Sequence, residues 1–141
     1  MKPHLEEAWR SLRLADRDIQ AFDVLKVSPE VHISMACFHA QQAVEKSLKA
    51  VLFSRRIEFE RIHDLVKLAQ LLSTCGLVLP VPEDQLRRLN PFAVTFRYDD
   101  LEVEPISRLD TASIVADVRR WAEEQVSVAA ESEQTSGAGD D

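Results

Sequence analysis

A chain of 141 residues with a formal charge of −7 is sized for one domain and can bury a core without disulfides or metals. Its acidic balance excludes broad, sequence-independent binding to phosphate backbones but leaves room for one local basic pocket. It has three glycines, two of them (Gly137 and Gly139) close to the end, which leaves little scope for tight hairpins and favours helix over sheet.

Apolar spacing predicts a first helix over residues 4–25, with Leu5, Trp9, Leu12, Ile19 and Phe22 on one face. Asp16 falls among them, either at the stripe's edge in water or paired with a lysine of the next helix, because an unpaired buried carboxylate is expensive. Ser28-Pro29-Glu30 has the pattern of a helix start: a cap residue, proline at the first helical position, then an acid. The helix that follows runs to about Phe53 and places Ile33, Ala36, Cys37, Ala40, Val44, Leu48 and Val51 together. Its other side mixes Met35, Phe38 and Phe53 with Gln42, Glu45, Lys46 and Lys49. A helix apolar on two sides belongs at the centre of a bundle. A charged stripe on its second side therefore needs partners or a function.

A charged connection over 54–62 leads to a third helix from His63-Asp64, with Leu65, Leu68, Ala69 and Leu72 inward and Gly76 as its C-terminal cap. Residues 77–82, LVLPVP, read as extended. A fourth helix opens at Pro82-Glu83-Asp84, turns Leu86, Leu89, Ala93 and Phe96 inward, and is kinked or split by Asn90-Pro91. After an acidic loop over 99–105, Ser107 or Asp110 caps a fifth helix with Ile114, Val115, Val118, Trp121, Ala122 and Val126 inward. The reading is all-α, a five-helix up-down bundle over residues 1–130. Residues 131–141 form a disordered acidic tail, too polar and small to fold.

No apolar run reaches the ~18 residues of a membrane span, and MKPHLEEAW lacks the apolar core of a secretory signal. Cys37 and Cys75 have no CxxC spacing and read as reduced, buried and structural. The expectation is a cytoplasmic protein without membrane contact.

Four polar features compete as sites of chemistry. Glu45 and Lys49 in the central stripe form an i,i+4 pair that stabilises an exposed helix by ~0.3–0.5 kcal/mol, and the bland alternative is a solvated face. His63 stands at a helix start, where free N–H groups can hold an anion, and Arg56 precedes it by seven positions. Arginine can clamp a phosphate while histidine moves a proton, the pairing that RNA cleavage needs. Arg97 and Tyr98, the one tyrosine, follow the fourth helix; they either close the bundle end or touch a ligand. Arg119-Arg120, beside Glu123 and Glu124, read as a solvated face. No metal spacing joins His4, His32 or His39 to a carboxylate or cysteine, and neither metal nor cofactor is expected.

Taken together, FHAQQAVEKSLKAVL at 38–52, HDL at 63–65 and RYD at 97–99 resemble the HEPN domain family, helical proteins encoded alongside minimal nucleotidyltransferases. The resemblance covers roughly residues 5–128. It implies a five-helix bundle that commonly forms a homodimer, and a recurring polar set of Gln42, Glu45, Lys46, Lys49, His63, Arg97 and Tyr98. The ribonuclease branch of that family carries Arg-x4–6-His near its late helices; here no histidine follows Arg97, and Asp99 stands where proline is usual after the arginine–tyrosine pair.

The residues and the resemblance together leave three functions. The first is a nucleotide- or partner-binding protein that works with a minimal nucleotidyltransferase, in a toxin–antitoxin-like or two-subunit transferase module. In that reading Tyr98 stacks on a base, packs on the cleft, or offers its hydroxyl for modification by the partner. The second is a metal-independent RNase toxin with His63 as general acid or base and Arg56 or Arg97 at the phosphate. The third is a helical dimerisation scaffold. Whether the chain is an enzyme stays open between them.

Overall fold

The computed structural model describes residues 1–93 and 107–138. The chain order is α1 (Pro3–Leu25), α2 (Ile33–Ser54), α3 (Leu65–Thr74), α4 (Glu83–Leu89), a 3-10 turn (Asn90–Ala93) and α5 (Arg108–Ala138). Among the described residues there is no strand, and the five helices form the expected bundle. α2 lies at its centre, packed most extensively on α1 and α5 and touching α3, α4 and the 3-10 turn.

The inward faces follow the helical period. Ala36, Cys37, Ala40, Val44, Leu48 and Val51 of α2 are buried, as are Leu65, Leu68, Ala69 and Leu72 of α3 and the six inward residues expected on α5. On α1 the buried line runs through Leu5, Ala8, Leu12, Ala15 and Phe22, so Trp9 and Ile19 pack at its edges. Ala8 shares one core with the small residues Ala36, Ala40 and Ala43, and side chains that small let α1 and α2 approach closely.

Several local expectations differ from the structure. Ser28 does not begin α2. Its hydroxyl donates to Val24 O at 2.7 Å and finishes α1, while His32 Nδ1 accepts from Ser34 N–H and caps α2. Asp16 does reach water at the stripe's edge, its side chain 47% exposed, but it meets no lysine: its two oxygens accept from Arg119 of α5 at 2.8 and 3.1 Å. Arg119 is therefore a bridge between α1 and α5, whereas Arg120 is exposed. Cys37 is buried but Cys75, at the C-cap of α3, is exposed. α5 continues to Ala138 instead of ending near 130, because the run from Val126 to Ser136 contains neither glycine nor proline and the side chain of Glu133 is engaged by α1. Asn90-Pro91 splits the fourth helix as expected, into α4 and the 3-10 turn. Ser107 is the residue that opens α5, its Oγ accepting from Asp110 N–H at 3.0 Å.

Helices α2 and α3 end in the same way. Gly76, at φ +88°, sends its N–H to Ser73 O while Leu77 N–H reaches Leu72 O. Arg56, at φ +56°, sends its N–H to Phe53 O while Ile57 N–H reaches Leu52 O. Both are Schellman caps with a left-handed residue, the position that favours glycine; at the end of α2 it is filled by arginine.

Candidate functional site

The second side of α2 divides into two separate clusters. Successive residues of a helix turn by ~100°, so Gln41, Glu45 and Lys49 climb one line while Lys46 lies about a quarter-turn from Glu45. That line meets the start of α3. Glu45 is buried, and its carboxylate accepts from Lys49 Nζ at 3.2 Å, from His63 Nδ1 at 3.3 Å and from Gln41 Nε2 at 3.4 Å. A buried carboxylate needs such donors. Gln41, fully buried, also reaches His63 O at 3.4 Å and accepts from Gln42 Nε2 at 2.7 Å. His63 is thus held at both its ring and its carbonyl, while its side chain remains 67% exposed.

The next residues fix His63 from the other direction. Asp64 caps α3, accepting from Val66 and Lys67 N–H. Asn90 ties this cap to the end of α4, donating to Asp64 Oδ1 and accepting Leu65 N–H, each at 2.8 Å. Burial pushes the Asp64 carboxyl up, but the hydrogen bonds from Asn90, Lys67 and Val66 and the charge of Lys67 outweigh it, so the group titrates below its usual range. In the HDL triplet His63 faces the site, Asp64 starts the helix and Leu65 enters the core.

Lys46 belongs to the second cluster. Its ammonium meets Asp18 Oδ2 of α1 at 2.5 Å, and His39 Nδ1 meets Asp18 Oδ1 at 3.0 Å. Ser11 Oγ donates to Lys46 O on the same seam. Asp18 is buried, so this cluster fastens α1 to α2. Of the expected site residues, the structure gathers Gln42, Glu45, Lys49 and His63 and seats Lys46 apart. Arg97 and Tyr98 lie outside the described residues.

Lys49 and His63 border an open depression of about 1130 Å³, whose wall also includes His4, Phe53, Arg56, Ile57, Phe59 and Arg61, with the carboxylates Glu58 and Glu60 among them. Phe53 and Phe59 meet edge to face at 5.2 Å, and the Lys49 ammonium stands 5.9 Å from the Phe59 ring centre. The connection between α2 and α3 therefore supplies aromatic surface and cations together. His4, Gln41, Asn90, Phe59 and Arg61 were not singled out as site residues from the sequence. Gln41 lies between core positions, so helical spacing assigns it to the interior; Phe59 and Arg61 stand in a segment without periodicity.

Among the described residues no three His, Cys, Asp or Glu side chains converge as metal ligands, and no helix is long and apolar enough to cross a membrane. Neither a curated protein nor a solved structure matches the chain. The family model described as the HEPN domain matches residues 3–128. That span takes in all the helices up to the middle of α5 and both clusters of α2, and on it the chain belongs to the HEPN domain family.

Proposed function

We propose that the protein is a non-catalytic nucleotide-binding module. The observation that carries this reading is one wall in which Lys49, Arg56, Arg61 and His63 outnumber the carboxylates Glu58 and Glu60 and stand with the paired rings of Phe53 and Phe59. Cations receive phosphates, and an aromatic face receives a base. The depression, at about 1130 Å³, is slightly larger than small-ligand clefts usually are and has their mixed apolar and polar lining. Glu45 is buried behind the wall, where it orients Lys49 and His63. In this reading the protein acts in the cytoplasm, as a homodimer, beside a minimal nucleotidyltransferase. The homodimer and the partner rest on the HEPN resemblance and the location on the reduced cysteines, and Arg97 and Tyr98 are assigned to the same site on the ground of that resemblance.

Calorimetric titration with ATP is the test. The intact protein binds, and Lys49→Ala and His63→Ala each weaken binding by about tenfold, the effect of losing one charge-assisted hydrogen bond. Absence of binding at millimolar ATP, alone and with the partner transferase, removes the reading.

One observation favours ribonuclease activity as the second reading. His63 Nδ1 rests on the buried Glu45 carboxylate, which orients the ring and leaves Nε2 for proton transfer. Arg56 borders the same depression. RNA cleavage by the pure protein that disappears in His63→Ala would select this reading over the first.

A further inference from the structure

At the rim of the depression an anion is already bound, and it belongs to the chain itself. Glu133, near the end of α5, places Oε1 2.5 Å from His4 Nε2 and 3.6 Å from the Arg56 guanidinium. Its Oε2 is enclosed without a hydrogen bond, with the Lys2 ammonium 3.7 Å away. Arg56 Nε stands 3.4 Å from His4 Nε2, but that nitrogen donates to Glu133, so the two basic side chains meet through the carboxylate and not through each other. Three basic side chains from α1 and from the end of α2 thus surround one carboxylate carried by a third element. Two of them, His4 and Arg56, also line the depression.

Arg56 occupies its place against backbone preference. It stands at φ +56°, in the left-handed region, at the Schellman position that α3 fills with Gly76. A non-glycine residue there is strained, and an observed strain of this kind points to a function for the side chain. The guanidinium it delivers is 59% exposed, so contact with Glu133 leaves most of it open to a further anion.

We propose that Arg56 and His4 form a phosphate-receiving patch for the nucleotide, which Glu133 holds in the free protein, so that the end of α5 is an internal competitor of the ligand's phosphates. The inference rests on the nucleotide-binding reading and adds to it a regulated anion subsite. The exchange needs no chemical step: a phosphate replaces a carboxylate on the same donors, and the last turns of α5 lose their contact with the start of α1 while the Arg119–Asp16 bridge stays in place. The low titration range of Glu133 fits a carboxylate kept charged. Enclosure pushes its pKa up, but the His4 hydrogen bond and the charges of His4, Lys2 and Arg56 outweigh that.

The test titrates ATP into the intact chain, Glu133→Gln, and the double variant Glu133→Gln with Arg56→Gly. If the clasp is closed nine-tenths of the time, its loss tightens the apparent dissociation constant about tenfold. Arg56→Gly relieves the backbone while deleting the guanidinium, so it removes that gain without endangering the fold; circular dichroism verifies this. Hydrogen exchange near residue 133 should also accelerate when ATP is added to the intact chain. Should the intact protein bind ATP in a Lys49-dependent way while Glu133→Gln binds no more tightly, the competitor idea is overturned and the nucleotide reading survives. If neither the intact chain nor Glu133→Gln binds, both fall.

Discussion

Asp64 illustrates how much one side chain can settle. It caps α3 and, through Asn90, joins the starts and ends of two helices beside His63. Replacing such a cap by alanine costs about 1 kcal/mol, so Asp64→Ala should lower the unfolding free energy by roughly that amount at pH 7. The carboxyl titrates below its ordinary range in the folded protein. Its contribution is therefore complete above the unfolded value of about 4 and disappears as pH falls through the folded one. Urea titrations at pH 7, 5 and 3 check this: the gap between the two proteins should narrow only at the acid end. At this scale the sequence was informative where a residue acts on its own backbone, as Asp64 and Gly76 do. It was silent where the role comes from a distant neighbour. Nothing in the text around Gln41 shows that its amide meets His63 O, and nothing around Asp16 shows Arg119 across the bundle.

Among the elements, α2 determines which lysine serves which purpose. Lys46 and Lys49 look equivalent in sequence, but α1 stands opposite one and the connection to α3 opposite the other. Lys46→Ala would leave the buried Asp18 with His39 as its remaining ionic partner, and an under-satisfied buried group costs about 1–3 kcal/mol. That variant should melt earlier and bind ATP as well as the parent does. Lys49→Ala should melt earlier too, because the buried Glu45 loses its lysine donor, but unlike Lys46→Ala it should also weaken ATP binding, measurable by thermal unfolding alongside calorimetry. Apolar period located every helix and nearly all their inward residues, because burial repeats along the chain. It fixes the angle of each polar residue on α2 but not the neighbour at that angle, so two clusters look like one stripe in the sequence. Helix ends were less legible for a similar reason. His32 caps α2 through a ring nitrogen, outside the usual cap residues, and the end of α5 depends on a contact with the first turn of α1.

For the molecule as a whole, the two cysteines offer a measure of integrity. Burial raises the Cys37 thiol to about 11 even though a Thr111 hydrogen bond acts the other way, whereas Cys75 is exposed. Since the thiolate is the reactive form, iodoacetamide at pH 8 should modify Cys75 promptly and reach Cys37 only as the bundle opens. Mass spectrometry across a urea series should then show the second label following global unfolding. The bundle's topology has another consequence. The contact between His4 and Glu133 brings two positions 129 residues apart in sequence to one end of the protein, beside the depression. A donor dye near residue 2 and an acceptor near residue 135 would form an optical ruler across that contact. Its energy transfer would drop whenever the last turns of α5 lift away, turning occupancy of the cleft into a colour change that requires no labelled nucleotide.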